Sequence, residues 1–221
     1  SVINCTFTGA AIYSSSYTSM ALIYAYGYTG SNLVFHNNLF QNGGTWATLY
    51  GSSTTSTAND IKFINNSFSM VNSGYYGIFA YYTSALKFLN NTFAYSGAST
   101  YYNTYIYYAN NDFEFSNNVL NINGTSTIYP FMAQYVNYYS NSSTATPKMQ
   151  NNTINSTNTS GGTYTFYTMY WYYGDFSNNT VNANSTSGII YLYGPLYMAN
   201  NSKAYNNTFN LTGSSSTTLY N

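Results

Sequence analysis

The sequence predicts an all-β fold: a single-stranded, right-handed parallel β-helix (β-solenoid) of about eight coils with an internal Asn ladder. Three observations carry that expectation. Short aromatic and β-branched runs alternate with turn residues along the whole chain, a motif built on an Asn pair recurs every 25 to 34 residues, and no segment carries helical periodicity.

Aligned on the first Asn of each pair, the motifs read FHNNLF (Asn37), FINNSF (Asn65), FLNNTF (Asn90), FSNNVL (Asn117), MQNNTI (Asn151), FSNNTV (Asn178) and AYNNTF (Asn206). VINCTF (Asn4) fits the same frame, with Cys5 in the second place. Successive offsets of 33, 28, 25, 27, 34, 27 and 28 residues define eight units in one domain, residues 1–221. Between the pairs lie Tyr-rich runs such as YYGIFAYY, YYNTYIYYA and YTFYTMYWYY, which read as strands bounded by turns. Units this short suit coils stacked ~4.8 Å apart, whereas a propeller blade needs about 40 to 50 residues.

Within a unit, an apolar residue stands two before the first Asn and another three after it, as with Phe63 and Phe68. These are five apart and both must face the core, so strand alternation has to break between them. The first Asn is expected to take the left-handed conformation, which Asn tolerates better than other non-Gly residues. The second is expected to point inward and bond to backbone and to its equivalents above and below, as stacked amides do in cross-β assemblies. That column is Asn38, Asn66, Asn91, Asn118, Asn152, Asn179 and Asn207, and Cys5 in it reads as a buried, inert small residue. Three residues before the first Asn stand Val34, Lys62, Lys87, Glu114, Lys148, Asp175 and Lys203. Alternation puts this charge column in solvent, and Glu114, Lys148, Asp175 and Lys203 alternate in sign as a ladder of ion pairs worth ~0 to 1 kcal/mol each.

These units, with an apolar residue, a turn, NNT or NNS and a second apolar residue, resemble the parallel β-helix repeat family, the pectate-lyase-like superfold. The resemblance covers nearly the whole chain. It implies a fold rather than a function, because that superfold includes lyases, glycosidases, phage tailspikes and non-catalytic surface adhesins. The Asn/Thr/Tyr-rich, charge-poor style is similar to adhesin-like surface proteins of archaea and some bacteria.

Composition excludes several classes. The net charge is zero and only 4% of residues are charged, against about 25% in ordinary soluble domains. There is no Arg among the four cationic residues, so the electrostatic footprint of a nucleic-acid binder is missing. No apolar run reaches the ~18 residues of a transmembrane segment, and a single Cys rules out an intrachain disulfide. One His, one Cys and dispersed carboxylates support no cofactor and no metal site; His36 reads as a variable surface position. Among Asp60, Asp112, Glu114 and Asp175, the pair Asp112 and Glu114 shares a strand face. Glu114 and Asp175 stand two rungs or ~10 Å apart, just beyond the ~6.5–9.5 Å of an inverting pair. Neither pair has an Arg beside it, and no catalytic residue is expected.

Acceptors of the form N-x-S/T abound. Corner asparagines stacked ~4.8 Å apart leave no room for a glycan on every rung. Attachment is therefore expected mainly at loop acceptors such as Asn123, Asn141, Asn158 and Asn184, with Asn155 and Asn210 also candidates, ahead of Asn4, Asn65, Asn90, Asn151, Asn178, Asn200 and Asn206. Outward tyrosines, as in YYTS (81–84) and YWYYG (170–174), are expected to form an aromatic surface, and such surfaces mark interaction sites. Neither end carries a capping unit, so a longer solenoid or a covering subunit is expected, and head-to-tail contacts that do not close generate filaments. The expected function is a non-enzymatic extracellular or cell-surface structural protein, a homo-polymer or homo-oligomer forming a filament, sheath or surface layer and bearing N-glycans. The alternatives are a carbohydrate-binding adhesin or tailspike-like stalk using its Tyr surface and, third, a glycan depolymerase.

Overall fold

A computed structural model describes residues 1–11, 21–53, 57–71, 74–138, 145–194, 196–213 and 217–220. Among these the chain is all-β and forms a parallel β-solenoid of three sheets. The first sheet stacks Val2–Ile3, Leu33–His36, Ile61–Ile64, Lys87–Leu89, Glu114–Ser116, Lys148–Gln150, Asp175–Ser177 and Lys203–Tyr205. The second stacks Thr6–Thr8, Leu39–Gln41, Ser67–Val71, Thr92–Gly97, Val119–Gly124, Thr153–Asn158, Thr180–Ser185 and Thr208–Gly213. These eight-stranded sheets define eight rungs, hence seven turns of the solenoid. The third sheet, of twelve strands, carries the Tyr-rich runs. In it Ala21–Tyr26, Thr45–Tyr50, Tyr76–Ser84 and Tyr101–Asn110 give way to short pairs such as Ile128–Tyr129 with Met132–Val136.

The Asn-pair alignment is also the register of the first sheet. Val34, Lys62, Lys87, Glu114, Lys148, Asp175 and Lys203 are partners on successive rungs. Each first Asn of a pair, from Asn4 to Asn206, sits exposed at a corner with φ between 54° and 58°. Asparagine takes this left-handed conformation at little cost, but a β-branched side chain clashes there. Asn65→Gly is therefore expected to leave stability within a few tenths of a kcal/mol, whereas Asn65→Val should lower it by about 1–2 kcal/mol in urea unfolding.

The left-handed step turns the second Asn inward. The backbone N–H groups of Asn38, Asn66, Asn91, Asn118, Asn152 and Asn179 each donate to the Oδ1 of the next Asn, at 2.8–3.1 Å. Their Nδ2 groups reach the same oxygens at 2.9–3.2 Å. Each Nδ2 also donates back to a carbonyl of the preceding rung, such as Phe35 O for Asn66 and Phe63 O for Asn91, both 2.9 Å. A carboxamide offers two donors and an oxygen with two lone pairs, so each amide inside the run is fully satisfied.

Flanking this run, phenylalanines stack rung on rung. Phe35–Phe63–Phe88 have centroids 4.9 and 5.0 Å apart, and Phe40–Phe68–Phe93 4.6 and 4.7 Å, all within 11° of parallel. Trp46 is buried against Phe68 and Phe93, and Trp171 against Phe113 and Phe176, each indole N–H donating to a carbonyl at 3.3 Å. Cys5 departs from the expected burial and is exposed. Its thiol reaches Ile3 O at 3.4 Å. Its amide still donates to Asn38 Oδ1 at 2.9 Å, as the column requires.

Candidate functional site: the tyrosine face of the third sheet

The outer face of the third sheet is where the sequence spends its tyrosines. In Tyr76–Ser84, Ile78 and Ala80 point into the core, and Phe79 and Tyr81 point out. Tyr82 then adopts φ 51°, the alternation slips, and Thr83 returns to the interior. Two successive rings thus project from one side, as the left-handed step allows, and the rungs stay in register through it, Tyr81 with Tyr107 and Thr83 with Ala109. Tyr108, Tyr135, Tyr170 and Tyr197 repeat the device at φ 55–57° on the following rungs.

A bulky residue at positive φ is unusual, and glycine fits the place, as Gly27 does at φ 58° in an earlier coil. The tyrosines recover the strain by stacking. Tyr82–Tyr108–Tyr135–Tyr170–Tyr197 have successive centroid separations of 5.1, 4.9, 4.7 and 4.8 Å. Each ring contact contributes about 0.5–1.5 kcal/mol, comparable to the ~1–2 kcal/mol of a left-handed L-residue. Beside this column stand two more, Tyr26–Tyr50–Tyr81–Tyr107 at 5.6, 5.4 and 5.2 Å and Tyr76–Tyr102–Tyr129–Tyr164–Tyr191 at 4.1–5.4 Å. Between them Phe79 stacks on Tyr105 at 5.3 Å. Rings of neighbouring columns meet edge to face, as Tyr81 with Tyr82 at 4.4 Å and 83°.

Crowding changes the chemistry of the phenols. Burial, reinforced by the Tyr135 phenol, pushes Tyr107 up to about 12. Burial likewise raises Tyr81, Tyr102, Tyr105 and Tyr129 above the ordinary phenol value near 10. In the unfolded chain these groups ionise near pH 10, so above that pH the folded state holds more protons than the unfolded one and stability falls as pH rises. The urea midpoint should be unaffected by these groups just below pH ~10 and decline as pH climbs through the folded values, with phenolate absorbance lagging that of free tyrosine. A midpoint that holds level across that range would contradict the crowding.

The charged residues lie around the first sheet. Lys62 and Lys87 are like charges on adjacent rungs and part company. Lys62 Nζ turns to Asp60 at 3.0 Å and Asn32 Oδ1 at 2.9 Å, and Lys87 reaches Glu114 at 3.7 Å. The Lys62 ammonium, bonded to Asp60, holds that carboxyl below its usual value despite some burial. The expected alternating ladder does not close: Glu114, Lys148, Asp175 and Lys203 are in register but form no ion pair with one another among the described residues. Half-exposed or exposed side chains gain too little from pairing to be ordered by it. Asp175 Oδ2 accepts from Tyr205 Oη at 3.4 Å instead. Asp112 and Glu114 border a depression of about 110 Å³ with Lys87, Lys148 and Thr146. His36 Nε2 sits 3.2 Å from Asn65 Nδ2. Among the described residues no group of three or more His, Cys, Asp or Glu side chains is placed to hold a metal ion.

The acceptors expected in loops lie instead at strand positions of the second sheet, apart from Asn141, which lies outside the described residues. Asn158 is fully buried, with Nδ2 bonded to Ser126 O at 2.7 Å and Gly162 O at 3.1 Å. Asn155, Asn182 and Asn210 extend a second, outer amide run from Asn121, each Nδ2 donating to the preceding Oδ1 at 2.8–2.9 Å. Asn123 and Asn184 are exposed on rungs five and seven, with Thr157 between them. The corner acceptors Asn4, Asn65, Asn90, Asn151, Asn178 and Asn206 are exposed, as is Asn200.

The left-handed tyrosine column and the outer amide run are the features that sequence reading missed. A signal existed for the first: a Tyr stands 17 to 19 residues after each corner Asn from Asn65 to Asn178. Compared with protein-family models, curated proteins and solved structures, the chain matches none of them.

Proposed function

We propose that this chain is a non-enzymatic structural protein of the cell exterior, whose solenoids associate side by side through the tyrosine face into a filament, sheath or surface layer. The observation that carries this reading is the run of aromatic columns on the outer third sheet. Aromatic residues concentrate at interfaces, and identical side chains stacked at rung spacing interdigitate with a matching stack as two packed sheets do. A second copy offers the same ~4.8 Å repeat, so rungs of the two can register. With zero net charge, no long-range repulsion opposes association.

Magnitude sets the mode of assembly. Five rungs span roughly 24 Å and the outward columns roughly 20 Å, giving about 1,000 Å² for both copies, the lower limit for a specific interface. One pair of solenoids is thus weakly held, and an array gains by multiplicity. Resemblance to adhesin-like β-helices supports the cell-surface setting. For N-glycans, the second-sheet acceptors Asn123 and Asn184 are exposed and two rungs apart, about 10 Å, which leaves each more room than corner acceptors on adjacent rungs have. Against a sugar-binding use of the tyrosines stands their stacking, which turns ring faces toward neighbouring rungs rather than toward a ligand.

Electron microscopy and sedimentation over a concentration series test the proposal. Lateral arrays are expected for the natural chain, and discrete rods for the double variant Tyr107→Glu, Tyr170→Glu. Single rods of the natural chain at every concentration would sink it.

A further inference from the structure

We propose that Asn32, Asp60 and Lys62 form a self-acting site for an intrachain isopeptide bond, in which the Lys62 amine displaces ammonia from the Asn32 carboxamide and staples the second coil to the third. This does not rest on lateral assembly, because every reacting group belongs to one molecule. Asn32 and Asp60 occupy the corner that leads into the first sheet on adjacent rungs, both left-handed, at φ 59° and 48°. The Leu33 N–H donates to Asp60 O at 3.0 Å and ties the two corners together. Lys62 stands in its column between Val34, which offers no charge, and Lys87, which repels it. Its side chain turns instead to the corner, where Nζ donates to Asn32 Oδ1 at 2.9 Å and to Asp60 Oδ1 at 3.0 Å. The other Asp60 oxygen accepts from the Asn32 backbone N–H at 2.6 Å, so one carboxylate holds both reactants. Among the described residues no other lysine is hydrogen-bonded to a carboxamide, and Lys87 lies 3.7 Å from a carboxylate, that of Glu114.

Lys62 enters as an ammonium and Asp60 as a carboxylate. Asp60 Oδ1 takes one proton from Nζ, as a base at hydrogen-bond distance does. The freed Nζ lone pair attacks Asn32 Cγ, and the π pair of its carbonyl moves onto Oδ1. Asp60 passes its proton to Nδ2 and takes the second proton from Nζ. The pair on Oδ1 then re-forms the carbonyl as the Cγ–Nδ2 bond breaks, and the departing ammonia carries off the proton left on Asp60. One ammonium and one carboxamide have become one secondary amide and one free ammonium ion, with no oxidant or co-reactant. Nζ has only to roll from the edge of the carboxamide onto its face, by rotation about side-chain bonds, because the two corners are already fixed. Holding the groups in contact replaces a bimolecular encounter. The Lys62 and Asp60 side chains are 26% and 25% exposed, enough for ammonia to escape while most of their surface is shielded from water. A carboxyl held low by the Lys62 ammonium is a weak base, so the bond forms slowly, as the folded chain ages. With Cys5 the single cysteine, an amide link is a covalent bond between coils that this composition does permit.

The test is ageing of the folded protein in mildly alkaline buffer, where more of the amine is free, followed by intact mass under denaturing conditions, peptide mapping and a melting curve. The expected result is a chain lighter by one ammonia, a branched peptide joining Asn32 to Lys62, and a melting temperature that rises with the linked fraction. Lys62→Met and Asn32→Gly, the second of which spares the left-handed corner, should each fold and form no link. Asp60→Asn, which keeps an acceptor for the Asn32 N–H, should slow linkage about a hundredfold. A folded natural chain that keeps its full mass, ammonia lost without the branched peptide, linkage as fast in Asp60→Asn, or equal linkage in the urea-unfolded chain would each overturn the proposal.

Discussion

Asn118→Leu is expected to lower stability by about 3–5 kcal/mol, although leucine has as many side-chain heavy atoms as asparagine, branched at the same carbon. Asn118 is fully buried, and its Oδ1 accepts from the Asn91 N–H at 2.9 Å and Asn91 Nδ2 at 3.1 Å. Its Nδ2 donates to Phe88 O at 3.0 Å and Asn152 Oδ1 at 3.2 Å. Leucine keeps the branch point but is bulkier, and it removes all four bonds, leaving at least the Asn91 N–H buried without an acceptor and Phe88 O with one donor fewer. Each buried polar group so stranded costs about 1–3 kcal/mol, far more than the net gain of an ordinary hydrogen bond. The same change at Asn207, which is half-buried and bonded to one neighbouring amide, should cost roughly half as much. Urea unfolding measures both. A loss below about 1 kcal/mol at Asn118 would mean that the amides are spectators and that ring stacking alone sets the register.

That contrast explains what could be read in advance. The corner and the buried amide follow from local rules: Phe63 and Phe68 both need the core, an odd step has to fall between them, and Asn65 is the residue that tolerates it. One such rule repeated along the chain fixes the register, and for that reason the column from Val34 to Lys203 could be aligned from sequence. Where side chains choose among partners, local rules stop. Nothing in Lys62 says that it turns to Asp60 and away from its column, and nothing in Lys148 says that it remains unpaired with Glu114. Asn158 reads as a loop acceptor because Thr and Ser follow it, yet its rung closes only when its amide satisfies two carbonyls. The tyrosine column was least legible. A Tyr-Tyr doublet in a strand should point one ring in and one out, and only the left-handed step at Tyr108 puts Tyr107 and Tyr108 on the same side, where they meet at 4.5 Å and 83°.

Phe88→Ala should cost about 3–5 kcal/mol through lost burial and an unfilled cavity, and its consequences should be spatially confined. Phe88 is fully buried, stacks on Phe63 at 5.0 Å, and meets Phe115 at 5.7 Å and Phe93 at 6.3 Å. Ile61–Ile64 and Glu114–Ser116 are the direct partners of Lys87–Leu89 in the first sheet. Stability in a stacked repeat is approximately a sum of rung terms and nearest-neighbour terms, so a cavity weakens mainly the rungs that border it. Amide exchange should accelerate most in those three strands, with Asp175–Ser177 retaining its protection. The continuous amide run opposes such confinement, because each Asn binds the next across every rung from Asn38 to Asn207. Exchange rising evenly along the solenoid would therefore show that these amides couple all the rungs into one cooperative unit, whereas a local rise would show that each rung is held chiefly by the rings packed against it.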